Sequence, residues 1–443
     1  MDVVALGELL IDFTENGTSA QDNKLFEANP GGAPCNVLAM LQKLGHQTAF
    51  IGKVGQDAFG RLLVDAVKEQ GIDTTGVRYD DNVHTTLAFV QTAADGDRDF
   101  SFYRNPGADM MLTADEVDLS LVRNAKIFHF GSLSMTDKIC ENATKHAIAA
   151  AKEAGVLISF DPNLRKPLWE SMDDAKEKIS WGLSQCDILK ISDDEIEFMT
   201  GKKDIKTGVK KLIDEYHIPF ICATMGKNGS MAFFDGHIVE AAPFLRDDTV
   251  ETTGAGDTFC ACLLHDVLEH GINDRKDDDV KKMLTFANAA ASLITTRKGA
   301  LRVMPEKGEV EPQLFIAEAI ETIGIHAVQG QRANQRLPGK QRQSHAGMDF
   351  EALMTGDQPV IGVGQVAIRR ESHHIPGARN RLQPRVSFQG KAPTEHILRQ
   401  AIDRQRHKLM RLIAQQRRGI AAKNLPQGSN QARKAVGVTN IAL

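Results

Sequence analysis

Over its first 310 or so residues the chain alternates short β-rich apolar runs with helical patterns, and this alternation restricts its fold more than any other feature. VVALGELLI (3–11), TAFIGKVG (48–55), KIFHFGS (126–132), VLISFDPN (156–163), DILKIS (187–192) and PFICATMG (219–226) read as strands. Helix-like segments such as CENATKHAIAAAKEAG (140–155) and IKTGVKKLIDEYH (205–217) lie between several of them. Parallel strands need long crossovers, and a helix supplies one. The expected fold is α/β, with a central, mostly parallel sheet flanked by helices. The stretch HTTLAFVQTAADGDRDFSFYR (84–104) breaks the rule. There LAFVQT and FSFY flank the turn DGDR, which predicts a β-hairpin and a small β appendage to the main sheet.

The alternation fails after about residue 312. Residues 1–324 hold 33 Lys+Arg against 52 Asp+Glu, whereas residues 325–443 hold 20 against 6. Gln rises from 8 to 15 across the same boundary, and the Lys:Arg ratio turns from 23:10 to 5:15. Such a break marks a change of domain or of origin. GQRANQRLPGKQRQSHAG (330–347) has almost nothing to bury and is expected to be disordered, while 396–418 has the pattern of a basic amphipathic helix. The division expected is a main domain at 1–312, a transition at 313–324 and a basic extension at 325–443. The extension is open to three readings: an acidic or nucleic-acid partner's binding segment, a disordered tail, or a frame-shifted or fused piece of unrelated origin.

With 42% hydrophobic and 25% charged residues, the composition is that of a soluble globular protein. No run approaches 18 apolar residues, and the start MDVVALGELLIDF lacks a basic n-region. The six cysteines form no CxxC pair. Reduced, buried thiols in a cytoplasmic protein are expected.

The stretch ETTGAGDTFCACLL (251–264) sets two glycines and an alanine against one carboxylate, Asp257, just before an apolar run. A helix starts with unpaired N–H groups and partial positive charge. Gly254, Ala255 and Gly256 would leave those amides open to an anion. A carboxylate in that first turn repels an anion, but it suits a general base for an attacking hydroxyl. An ordinary capped helix start, with Thr252 or Thr253 as the cap, explains the stretch as well. On these residues alone both readings stand.

TTGAGDTF closely resembles the C-terminal signature of the ribokinase-like sugar kinases, the family named for the minor phosphofructokinase. NPGGAPCNVLAMLQKLG (29–45), followed by FIGKVGQDAFG (50–60), resembles the other signature, and the likeness covers about residues 1–310. GELLIDF, PGGAPCN, FYRNPGAD, FHFGS and FDPNLR look most like bacterial fructokinases.

That resemblance implies roles residue by residue. Asp12 would accept from sugar hydroxyls, Gly31, Gly32 and Asn36 would line the sugar site, and Arg104 would reach into it from a lid formed around 12–27 and 84–104. Asp161, Asn163 and Arg165 would line the cleft near the transferred phosphate, with Arg165 touching phosphate. Thr224, Gly226 and Gly229 would meet the nucleotide, and Asn288 would flank its adenine. Glu195 would hold Mg²⁺ through water, although Ser192 stands where the family has asparagine. Glu251 replaces the usual aspartate of a monovalent-cation site, so potassium binding is left open.

The activity implied is ATP-dependent phosphorylation of D-fructose to fructose 6-phosphate with Mg²⁺, by a cytoplasmic enzyme that is a homodimer in many relatives. Asp257 would be the base, and the amides of Gly254–Gly256 the anion hole. 2-Keto-3-deoxygluconate kinase and ribokinase are the alternatives within the class, and a non-catalytic sugar or nucleotide sensor is the alternative outside it.

Overall fold

A computed structural model describes residues 1–92, 98–311, 313–314, 366–367 and 387–388. The chain divides into two units, Met1–Ala317 and Glu318–Leu443. In the second, the described residues are two short strands, Val366–Ala367 and Ser387–Phe388, paired antiparallel. The expectations for 330–347 and 396–418 lie outside the described residues.

In chain order the strands of the first unit are β1 (Val3–Leu6), β2 (Leu10–Thr18), β3 (Lys24–Gly31), β4 (Thr48–Gly55), β5 (Asp73–Asp80), β6 (Leu87–Thr92), β7 (Arg98–Tyr103), β8 (Ile127–Gly131), β9 (Leu157–Asp161), β10 (Ile188–Ser192), β11 (Phe220–Thr224), β12 (Ser230–Phe234) and β13 (His237–Ala241). The helices are α1 (Ala33–Lys43), α2 (Ala58–Glu69), α3 (Leu119–Arg123), α4 (Lys138–Glu153), α5 (Met172–Leu183), α6 (Asp193–Thr200), α7 (Ile205–Tyr216), α8 (Ala255–His270) and α9 (Asp277–Ile294).

Nine strands form the main sheet in the order β13-β12-β11-β10-β9-β8-β1-β4-β5. From β11 to β5 every pairing is parallel, and β12 and β13 add an antiparallel hairpin at one edge. The chain builds outward from β1 first through β4 and β5, then through β8 to β11 on the other side. Ligands of open α/β sheets bind where strand order reverses, at the carboxyl ends.

Helices cover both faces, so the strands are apolar on both. Val3 and Ala5 enter one core with α1, α2, α8 and α9, while Val4 and Leu6 enter the other with α4 to α7. Fully burying one of the larger side chains, such as Phe50 or Phe128, contributes about 1.5–3 kcal/mol.

The second sheet, β3-β2-β6-β7, contains the hairpin read from 84–104. The single strand expected at 3–11 is divided between the two sheets. Residues 3–11 are not a single strand, because the chain leaves the main sheet after Leu6 and re-enters pairing at Leu10 in the small one. Gly7 permits the departure. A Cβ on Gly7 would lie 2.6 Å from Pro34 Cγ, so only glycine lets α1 begin so close to β1.

Side chains cap most helices. Asp57, Asp137, Ser171, Ser192 and Asp204 each accept from a first-turn amide of α2, α4, α5, α6 and α7, at about 1 kcal/mol per cap. α1 and α8 start differently, on Gly32 (φ 129°) and Gly254 (φ 77°), with no side-chain cap from the preceding residue. Both starts point toward the carboxyl ends of the sheet.

Candidate active site

Asp257 stands in the first turn of α8 and is buried. Its Oδ2 accepts from Asn36 Nδ2 at 2.8 Å, which joins the starts of α1 and α8. Burial raises the Asp257 pKa, while Asn36, Lys190 and Arg165 oppose that rise. Because Asp257 takes the NH₂ of Asn36, the Asn36 Oδ1 faces elsewhere, buried and without a hydrogen-bond partner. A buried amide oxygen left without a donor is costly, and a ligand hydroxyl would satisfy it.

The glycine turn has the local form expected. Ala255 N–H is directed to Thr252 O at 3.3 Å, and Thr258 N–H closes the first helical bond to Gly254 O at 2.8 Å. The amides of Gly254, Gly256 and Asp257 meet no protein acceptor among the described residues. Of the three residues expected to form an anion hole, Ala255 therefore has its amide engaged, Gly254 and Gly256 keep theirs open, and Asp257 adds a further open amide. Gly254 is in the left-handed region, and a Cβ there would lie 2.9 Å from Ala300 Cβ.

Lys190 is not among the residues expected at the site. It lies in β10, and its Nζ is 3.0 Å from Asp161 Oδ2 and 3.3 Å from Oδ1. A Cβ on Gly256 would also sit 3.0 Å from that Nζ, so the ammonium lies against the start of α8. Asp161 and Glu195 hold Lys190 protonated, with its pKa above the usual lysine range. The available signal was a lysine inside the apolar run DILKIS. A lysine in a strand buried on both faces needs a carboxylate partner.

On the expected sugar side, Asp12 lies opposite Asn29 in the β2–β3 ladder. A Cβ on Gly31 would fall 2.6 Å from Asp12 Oδ2, so the glycine makes room for the carboxylate. A Cβ on Gly32 would collide with the Glu8 carbonyl. Burial pushes the Asp12 carboxyl up to about 7, opposed by the positive charge of Arg165 and reinforced by the charges of Glu251 and Asp257. Arg165 is exposed at the start of a short 3₁₀ turn and has no ion pair among the described residues. Its charge acts on both Asp12 and Asp257. Asn163 holds a positive φ of 46°, and its N–H reaches Asp161 Oδ1 at 3.2 Å.

Two residues are committed more deeply to the protein than expected. Arg104 is buried, with Nε 2.8 Å from Asp109 Oδ2, Nη1 2.8 Å from Thr136 Oγ1 and Nη2 3.0 Å from Leu133 O. Instead of reaching out from the lid, its guanidinium pins β7 to the segment after β8. Asp161 faces Lys190 for the same reason, because a buried charge takes the nearest opposite one.

On the expected nucleotide side, Thr224 ends β11, and Gly226 (φ 50°) and Gly229 (φ 91°) form the turn into β12. Thr224 Oγ1 lies 3.5 Å from Ile191 O, and a Cβ on Gly229 would collide with Ala241 O. Asn288, on α9, gives its Nδ2 to Ala242 O at 3.0 Å, so its amide fixes the chain after β13. Glu195 is part of a capping box: Oε2 accepts from Ser192 N–H at 2.8 Å and from Ser192 Oγ at 2.9 Å, and Oε1 accepts from Leu164 N–H at 2.8 Å. Ser192 thus replaces asparagine with a cap that orients Glu195. Glu251 Oε1 accepts from Gly299 N–H at 2.7 Å and so ties the approach to α8 onto the loop after α9.

Residues 1–307 match the pfkB family of carbohydrate kinases. The chain belongs to that family. As a pfkB family carbohydrate kinase it transfers a phosphoryl group to a sugar. It is 41% identical over 305 residues to a probable fructokinase-2 of Arabidopsis thaliana, covering 68% of this chain and 92% of the relative. Among solved structures, fructokinase of Xylella fastidiosa with bound ATP superposes with a TM-score of 0.66 at 28% identity, covering 72% of this chain and 99% of that one. Fructokinase of Vibrio cholerae in a fructose-, ADP- and calcium-bound form gives 0.62 at 27% identity, with 70% and 98% covered. This pfkB family kinase therefore has the ribokinase-like fold, with a large mostly parallel sheet and a small antiparallel one. No helix among the described residues is long and apolar enough to cross a membrane.

Proposed function

We propose that the protein is an ATP-dependent fructokinase that converts D-fructose to fructose 6-phosphate. The observation that carries the reading is the start of α8. There a buried carboxylate, Asp257, is aimed by Asn36 beside the open amides of Gly256 and Asp257. A base beside an anion site is what phosphoryl transfer to a hydroxyl requires.

In this reading Asp12 and the orphan Asn36 Oδ1 accept from fructose hydroxyls, and Asp257 takes the proton of the attacking one. The open amides, with Lys190 against the start of α8 and the charge of Arg165 acting on the same carboxylates, meet negative charge on the γ-phosphoryl group. The small sheet lies over the sugar and excludes water, the competing acceptor. Thr224, Gly226 and Gly229 border the nucleotide, with Asn288 shaping that side through the 241–242 backbone.

ATP is used with a divalent metal. Mg²⁺ keeps most of its waters and needs few protein carboxylates. The hard oxygen donors at the start of α6 fit it, and Glu195, already fixed by Ser192 and Leu164, would hold its water shell. The ion supplies charge neutralisation between the phosphates. Glu251 and the 299 loop would form the edge of a monovalent-cation site. Leu25, Phe26 and Tyr103 of the small sheet are exposed apolar groups, 46%, 36% and 66% accessible, which supports a homodimer through that sheet. All six cysteines are free and buried, in keeping with a cytoplasmic location.

The test is ADP release with ATP and Mg²⁺ over fructose, 2-keto-3-deoxygluconate, ribose and adenosine, with Asp257→Asn alongside. Preferential turnover of fructose, lost in the variant, supports the reading. Preference for another sugar reassigns the substrate, and sugar binding without turnover would make the protein a sensor.

A further inference from the structure

Among the described residues, one cluster of three ligating side chains gathers its donor atoms within 4.8 Å of one another: His46, His265 and Glu269. His46 follows α1, while His265 and Glu269 lie four residues apart on α8 and so share one face of that helix. His46 Nε2 and His265 Nδ1 face each other at 2.6 Å, with the ring centroids 4.9 Å apart. Behind His46, its Nδ1 lies 3.8 Å from Asp2 Oδ2, a carboxylate held by Gln47 N–H at 2.9 Å and by Lys126 at 2.8 Å. A ligating imidazole typically has a carboxylate at its other nitrogen.

We propose that His46, His265 and Glu269 form a binding site for one divalent transition-metal ion of the zinc class. Two imidazole nitrogens and one carboxylate oxygen are the donors such an ion prefers, and Mg²⁺ does not seek imidazole. A tetrahedral ion at about 2.0–2.1 Å from each ligand holds its donors roughly 3.3 Å apart, with water in the fourth position. The present spacings reach that geometry by rotation of the Glu269 side chain, which is exposed, and by slight separation of the two rings.

The site lies apart from the chemistry but on the same pair of helices. α1 and α8 run side by side in the same direction, joined at their starts by Asn36 and Asp257 and beyond the end of α1 by His46 and His265. His265 is eight residues past Asp257, or about 12 Å along the helix axis. A metal there would clamp the register of the two helices whose starts form the site.

The experiment uses the full chain, stripped with chelator and kept in Mg²⁺. Zn²⁺ is titrated by calorimetry, Co²⁺ is titrated by visible absorption, and both are repeated with His265→Ala and Glu269→Gln. Circular dichroism checks that each variant is folded. The tail contains His373 and His374, so the number of sites, rather than binding as such, is decisive. The expected result is one Zn²⁺ site fewer in His265→Ala, at least tenfold weaker binding at that site in Glu269→Gln, and loss of a tetrahedral Co²⁺ band in both. Zn²⁺ is also expected to raise the melting temperature of the parent chain more than that of either variant. Absence of Zn²⁺ binding to the parent chain, or equal stoichiometry and spectra in parent and Glu269→Gln, would overturn the proposal and leave the pair as a plain imidazole–imidazole hydrogen bond.

Discussion

Asn36 and Asp257, 221 residues apart in the chain, meet at 2.8 Å where two helices that start on glycine converge. The contact fixes which Asp257 oxygen is free, and it directs the unpartnered Asn36 Oδ1 away from the carboxylate. Replacing Asp257 by Asn is expected to reduce kcat by about 10²–10⁴-fold, the range for loss of a general base. ATP affinity measured by calorimetry should stay close to that of the parent. Asn36→Ala should lower kcat on the order of 10²-fold through mispositioning, and it should also raise KM for the sugar. A KM effect without a kcat effect would separate Asn36 from the base.

Lys190 and Asp161 form a buried ion pair beneath the same helix start. Lys190→Met strands a buried carboxylate and is expected to destabilise the fold by about 3–5 kcal/mol in denaturant titration. Adding Asp161→Asn should restore most of that loss. Activity should not return with stability, because the positive charge beside Gly256 is still missing. Recovery of both together would make the pair purely structural.

The Asp12 carboxyl sits at about 7. Its ionised form accepts from sugar hydroxyls, so kcat/KM for the sugar should rise as pH increases through about 7 and fall below it. Asp12→Asn should flatten that limb while lowering kcat/KM throughout. The same shift acts on stability. Between the ordinary aspartate value of 3.8 and about 7 the folded state binds the proton more tightly than the unfolded state, so this group's contribution declines as pH rises across that window and levels off above it. Denaturant titrations of parent and Asp12→Asn at pH 5 and pH 8 check the sign: the variant should gain relative to the parent at the higher pH.

Gly254 carries φ 77° and faces Ala300. Gly254→Ala should cost about 1–3 kcal/mol from backbone strain, with further loss from the contact with Ala300. Since the turn sets the direction of the open amides, kcat should fall more than ATP affinity. Steady-state kinetics with a melting curve resolve the two effects.

Removing residues 318–443 leaves the whole family-matched segment, 1–307, in place. The shortened chain is expected to keep kcat and KM within twofold of the parent's. An insoluble or inactive product would show that the basic extension serves the kinase.

The local features of the site were legible in the sequence because each depends on residues that are neighbours in the chain. The strand–helix alternation, the hairpin at 84–104, and the glycines that place Asp257 in a first helical turn all follow from backbone freedom, turn chemistry and periodicity over a few residues. Partner choice was not legible. Arg104 pairs with Asp109 and reaches Thr136, Lys190 pairs with Asp161, and Asn288 secures Ala242, because burial obliges each polar group to take whatever complementary group the packed elements bring near. The split of residues 3–11 between two sheets has the same origin: Gly7 allows the departure, but only the packing of Pro34 and α1 against β1 requires it. Sequence thus determined which elements form and which residues stand at their ends. Tertiary structure decided which charges and amides remain free for a ligand, since that depends on desolvation and on contacts between residues far apart in the chain.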